Sequence, residues 1–128
     1  ENFDLINNSF NFDKSRIIVE IFTRENYFKA IDKGIKNPLY SATIEHRKDE
    51  KKFIKNYKIP MISISSFEFI NNKKYFERLK KETNIIIFVY TTNNPQLVIK
   101  SKNAADAFYT DFINKSNMKC ESESCDTY

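Results

Sequence analysis

Positively charged side chains are the residues whose type and spacing could do chemistry in this chain. Arg47, Lys48, Lys51 and Lys52 crowd one short run, while Arg24 and Lys29 stand in another. Guanidinium and ammonium groups supply donors and charge for a phosphate, a carboxylate or an anionic surface, and do not break bonds by themselves. Groups that would attack a substrate are scarce. His46 is the only histidine and no serine or cysteine lies in a recognisable nucleophile turn, so no enzymatic activity is expected. Asp49 and Glu50 sit among lysines, where ion pairing in a solvated turn is the plainer reading. Tyr27 and Phe28, beside Lys29, form an apolar pair suited to wedging into a membrane interface.

The remaining composition narrows the field. Gly34 is the single glycine, where a chain of this size ordinarily carries about nine, and phosphate-cradling nucleotide loops need several together. Cys120 and Cys125 lie in a polar tail, and two thiols with one distant imidazole make a poor zinc site. No metal and no cofactor is therefore expected. Residues 14–102 hold 19 of the 21 basic residues and 9 of the 17 acidic ones, net +10, so the overall +4 conceals a basic middle between acidic ends. Such a field favours an acidic partner.

At 128 residues the chain reads as one domain, and the periodicity of its apolar residues marks its elements. Ile17, Val19 and Ile21 alternate as a first strand. Residues 26–33 fit a helix by spacing and a strand by pattern, and are taken as a strand. Tyr40, Ala42 and Ile44 alternate inward along residues 39–46. Residues 47–52 are charged enough for a solvated turn, a fourth strand falls within 53–64 with Pro60 at an edge or bulge, and residues 67–70 make a short fifth. Residues 73–81 form a helical turn. Residues 84–92, apolar at odd and even positions alike, suit a strand covered on both faces. Asn93 and Asn94 then turn the chain into an antiparallel strand over 95–102. Asn103 caps a closing helix over 103–116, with Ala104, Ala105, Phe108, Phe112 and Ile113 on its apolar face. No internal repeat is visible.

Two last strands leading into one amphipathic helix resemble the C-terminal half of a pleckstrin-homology domain. Ile59, Pro60 and Met61 are similar to that family's Ile-Pro-Leu strand, and Leu39, Tyr40 and Ser41 to its Leu-Tyr-Tyr strand. The resemblance spans roughly residues 15–116 and lacks the family's usual helix tryptophan, with Phe108 in the nearest place. It implies an α+β, mainly β fold: a seven-stranded, bent antiparallel sandwich plugged by the C-terminal helix. The domain would occupy residues 15–118, between an N-terminal arm (1–14) and a polar tail (119–128). The resemblance further implies that Arg24, Lys29, Arg47, Lys48, Lys51 and Lys52 converge on one rim, joined by residues 91–94.

The expected function is peripheral binding of anionic phospholipid, such as phosphatidic acid or a phosphoinositide, by a monomer on the cytosolic face of a membrane, regulating recruitment or secretion. Tyr27 replaces the middle cation of the family's phosphoinositide pattern, which favours general attraction to anionic lipid. Two rivals stand beside it: a protein-interaction module receiving a peptide strand along the last helix, and nucleic-acid binding through aromatic rings outward on a sheet between lysines. The rival fold is an alternating α/β domain with helices near 25–36, 73–82 and 103–116.

Overall fold

Val19, Glu20 and Ile21 open the sheet as a strand whose partner lies ahead in the chain and runs in the same direction. A computed structural model of the protein describes residues 3–9, 14–44 and 47–111. The chain divides into two compact units, Glu1–Ser63 and Ile64–Tyr128.

The first unit contains α1 (Phe3–Ser9), a short 3-10 turn (Lys14–Arg16), β1 (Val19–Ile21), α2 (Arg24–Asp32), β2 (Pro38–Ser41) and α3 (Glu50–Asn56), and enters β3 (Met61–Ser65). β1 and β2 are parallel, with Val19 opposite Pro38 and Ile21 opposite Tyr40. β2 and β3 are parallel too, with Tyr40 opposite Ile62 and Ser41 opposite Ser63. Parallel neighbours cannot be joined by a tight turn, so α2 and α3 are the crossovers this pairing requires. Both helices lie on the face that carries Tyr40. Its ring meets Tyr27 of α2 edge-on at 5.6 Å between centroids and Phe53 of α3 at 5.3 Å.

Both crossover helices end in the same way. After α2, Gly34 takes a left-handed conformation (φ 75°), and Ile35 N–H donates to Ala30 O at 3.0 Å. After α3, Lys58 takes it (φ 48°), and Ile59 N–H donates to Ile54 O at 3.1 Å. In each case the left-handed residue satisfies a helix carbonyl and turns the chain back, while the following isoleucine is buried. A strand–helix–turn unit thus recurs at about twenty residues, a repeat in geometry without one in side chains.

The second unit carries α4 (Ser66–Asn71), α5 (Lys73–Glu82), β4 (Ile86–Tyr90), α6 (Pro95–Lys100) and β5 (Ala107–Phe108). β4 and β5 are parallel, Phe88 opposite Ala107 and Val89 opposite Phe108. Ser65 caps α4 by accepting from Glu68 N–H at 3.2 Å. Phe69 stacks on Phe76 at 5.5 Å and receives Phe108 edge-on at 6.5 Å. Ile87 and Val89 are buried, whereas Ile86 is 40% exposed. Among the described residues β4 is thus covered on one face, where the sequence suggests two.

The fold is α/β, with every strand pairing inside the units parallel, and this overturns the seven-stranded antiparallel sandwich of the pleckstrin-homology type. Residues 26–32, expected as part of a strand over 26–33, lie in α2, and Lys33 is its C-cap. The fourth-strand region divides into α3 and β3, with Pro60 just ahead of the strand, and residues 67–70 fall in α4. Among the described residues no hairpin follows β4, whose next element is α6. Asn94 is a helix cap, its Oδ1 accepting from Gln96 N–H at 3.0 Å and Leu97 N–H at 3.3 Å, and Pro95 fills the first helical turn. The closing helix is likewise corrected, since Asn103 and Ala104 lie in a turn and Phe108 in β5. Phe112 and Ile113 lie outside the described residues. The helix expected over 73–81 is present as α5, and the alternating α/β alternative matches the class observed.

Candidate functional site

The site grows from two loops at the carboxyl end of the first unit's strands. After β1, Thr23 adopts an extended conformation (φ −130°, ψ 151°), and its hydroxyl accepts from Asn26 N–H at 3.1 Å. That cap starts α2 at once, so Arg24 stands directly beyond the strand. After β2, Asp49 takes a left-handed conformation (φ 64°) and starts α3 with Glu50 as its first residue. Glu50, Phe53, Ile54 and Tyr57 then follow at i, i+3, i+4 and i+7, which turns Glu50 inward with the apolar residues.

Glu50 is only 1% exposed, and both its oxygens are occupied. Oε2 accepts from Arg24 Nε at 3.1 Å and Nη2 at 2.5 Å. Oε1 accepts from the Tyr40 hydroxyl at 2.8 Å, from Thr43 N–H at 3.3 Å and from Arg47 Nη1 at 3.4 Å. Arg47 also donates through Nη1 to the Tyr40 oxygen and through Nη2 to Phe22 O, each at 2.6 Å. Arg24 Nη2 reaches Lys48 O at 3.4 Å, and its guanidinium lies over the Phe53 ring at 4.4 Å.

Electrostatics follow this geometry. The hydrogen bond to Glu50, against an opposing contribution from burial, holds the Arg24 pKa above its ordinary value. Burial, reinforced by the hydrogen bond to Glu50, pushes the Tyr40 phenol upward. A carboxylate this deep needs such partners, since an unpaired buried charge is costly. The hydroxyl oxygen of Thr43 is buried with no partner among the described residues.

The structure therefore brings the Arg24 and Arg47 guanidinium groups together on Glu50 from two loops, and Lys48 joins them through its backbone carbonyl, with its side chain exposed. Lys29 lies one turn along α2 and pairs with Glu25 at 2.6 Å, and Lys52 approaches Asp49 at 3.6 Å. Lys51 is exposed on α3. Tyr27 is buried, its ring turned into the core, while Phe28 is 39% exposed and meets Tyr57 edge-on at 5.1 Å between centroids. Residues 91–94 belong to the second unit, where Asn93 Oδ1 accepts from Thr110 Oγ1 at 3.0 Å and Asp111 N–H at 3.1 Å. His46, Cys120 and Cys125 lie outside the described residues.

Sequence reasoning missed Glu50, Tyr40 and Tyr57 as members of this region. The helical spacing of Glu50, Phe53, Ile54 and Tyr57 was the available signal, masked by reading the charged run as a solvated turn. Glu20 was also missed. Its Oε1 accepts from Ser63 Oγ at 2.5 Å, placing a carboxylate and hydroxyls on the sheet face opposite Tyr40.

In the second unit Phe88 stacks on Tyr109 at 5.8 Å on the uncovered face of β4 and β5. Among the described residues of β4 and β5, the others on that face, Ile86, Tyr90 and Ala107, are uncharged. Among the described residues, no group of three or more histidines, cysteines or carboxylates could hold a metal ion, and no helix is long and apolar enough to cross a membrane. No protein-family model, curated protein or solved structure matches the chain.

Proposed function

We propose that the chain binds a phosphate-bearing anion at the carboxyl end of its first unit's strands, and that the anion is the headgroup of an acidic phospholipid. The protein would then attach peripherally to the cytosolic face of a membrane, where such attachment regulates recruitment or secretion. The observation that carries this reading is the convergence of Arg24 and Arg47 on Glu50 from two separate strand-to-helix loops, with Lys48 alongside, its backbone carbonyl accepting from Arg24. Parallel α/β domains bind ligands at that end of their strands. Glu50 holds both guanidinium groups in fixed orientation, which lowers the ordering cost of presenting their remaining N–H donors. It cancels one of the two arginine charges and Asp49 offsets Lys52, so the five cations and two carboxylates of the rim keep a net charge of +3.

Each cation near an anionic surface contributes on the order of 1 kcal/mol, so three lysines give weak, reversible, salt-sensitive attachment. The peptide-strand alternative has less support, because residues 103–111 do not form the helix that would wall its groove.

Co-sedimentation with phosphatidylcholine vesicles, with and without phosphatidic acid, tests the reading at two salt concentrations. Wild type should pellet with the acidic vesicles at low salt, and combined Lys48→Glu, Lys51→Glu and Lys52→Glu should abolish this. Soluble glycerol phosphate separates the two sources of phosphate: a free ester that binds equally well without vesicles would make the protein a reader of soluble ligand. Equal pelleting of wild type and the triple variant would remove the rim from the account.

A further inference from the structure

The exposed end of the aromatic seam between α2 and α3 is a second anchor. We infer that Phe28 and Tyr57 enter the interfacial layer of an anionic bilayer while the lysines beside them engage its headgroups. This rests on the reading above that the partner is acidic lipid.

The seam begins inside the unit. Phe53 is buried, Arg24 covers its ring, and Tyr57 leans against it at 5.0 Å between centroids. Phe28 closes the far side, 6.0 Å from Phe53 and 5.1 Å from Tyr57. The outer two rings are thus propped on a fixed one, yet Phe28 is 39% and Tyr57 59% exposed, and Ile31, one turn beyond Phe28 on α2, is exposed as well. Apolar side chains braced in place lose little conformational freedom when they leave water.

Charge selects the occupant. Lys51, Lys52 and Lys55 are exposed on α3, Lys58 follows Tyr57 directly, and Lys29 follows Phe28. Glu25 lies against Lys29, Asp49 against Lys52 and Glu50 against both arginines, so those cations are partly offset, and residues 24–32 and 47–58 keep a net charge of +4 from eight basic and four acidic residues. Asp32 lies one turn beyond Phe28 on α2, next to Ile31, and is counted in that balance. An aromatic pair collared by lysines matches the interface of an anionic membrane, where tyrosine keeps its hydroxyl wet and its ring among acyl chains. An apolar protein partner would gain nothing from the lysines, and an RNA would leave the apolar surface of Ile31 in water.

The chain contains no tryptophan, so Tyr57→Trp installs a single reporter in the full-length protein, and Phe28→Trp provides a second one. Each variant is first checked for wild-type circular dichroism. With vesicles of phosphatidylcholine and phosphatidic acid, the emission should shift to the blue and be quenched by brominated acyl chains. The pair Phe28→Ser and Tyr57→Ser should bind about tenfold more weakly. Vesicle pelleting without quenching in either reporter, and without loss in the serine pair, would overturn the insertion while leaving headgroup binding intact. Absence of wild-type pelleting on any acidic vesicle would end both readings. Equal quenching on neutral phosphatidylcholine would overturn the role of the lysine collar.

Discussion

Arg24 and Glu50, 26 positions apart in sequence, meet through Nη2 and Oε2 at 2.5 Å, with Glu50 wholly buried and the arginine side chain 36% exposed. The asymmetry of that pair decides which partner the fold can lose. Combined Arg24→Leu and Arg47→Leu strands a buried carboxylate on the Tyr40 hydroxyl and one amide, at a cost of about 3–5 kcal/mol. Glu50→Gln instead removes the buried charge and leaves two guanidinium groups that reach water. Discounted for that solvent screening, its cost is about 1–2 kcal/mol. Urea unfolding at neutral pH checks the order, and a larger loss in Glu50→Gln would show that the arginines carry the desolvation penalty.

Tyr40 gives the network a pH signature. Its folded pKa is raised above the ordinary phenol value of 10.0, first by burial and then by Glu50, and burial raises Tyr27 as well. Below pH 10 both folded and unfolded chains keep these protons, so the stabilisation is complete there. As pH climbs beyond that value the unfolded chain releases them first, and stability falls until the folded phenols ionise. Melting temperature should therefore decline above about pH 10, and Tyr40→Phe should make the decline shallower. A decline unchanged by Tyr40→Phe and by Tyr27→Phe would place the alkaline sensitivity elsewhere.

The positions of β2, α5 and β4 were legible from pattern: Tyr40 and Ala42 in an alternation that overran a strand ending at Ser41, Tyr75, Phe76 and Leu79 at helical spacing, and the apolar run through Ile87 and Val89. What failed was the distinction between a turn and a helix start. Asn94 and Pro95 satisfy either, since asparagine both tolerates a turn and caps a helix, and three apolar residues after it show no period. The Ser65 and Glu68 spacing did announce a helix, and the strand reading of residues 67–70 passed over it. Glu50 was illegible for another reason. Its burial depends on arginines supplied by a separate loop and by the turn before it, a relation that no local window contains.

Asp106 performs for the second unit what Glu50 does for the first. Its Oδ2 accepts from Ile87 N–H at 2.8 Å, and its Oδ1 binds Lys80 of α5, so one side chain ties helix to sheet. Asp106→Ala should cost about 1–3 kcal/mol, chiefly by leaving the Ile87 amide without that acceptor. Lys80→Ala should cost under about 1 kcal/mol, because it removes a partly exposed ion pair and no backbone partner. Hydrogen exchange at Ile87 discriminates further: protection should fall in Asp106→Ala and persist in Lys80→Ala. Equal protection in both would mean that the amide is held by other groups.

Gly34 and Lys58 occupy equivalent places after α2 and α3, and only one of them is a residue suited to the left-handed backbone. No atom stands within 4 Å of a Cβ built on Gly34, so Gly34→Ala meets no clash and costs only the backbone conformation, about 1 kcal/mol. Lys58→Gly runs the other way. Its side chain is exposed, so little packing is lost, and relief of the left-handed strain should stabilise the chain by about 0.5–1 kcal/mol. Urea midpoints should move in opposite directions for the two substitutions, with unchanged slopes. Destabilisation by Lys58→Gly would mean that the lysine contributes an interaction outweighing its strain, and that the two helix ends are alike in shape but not in energy.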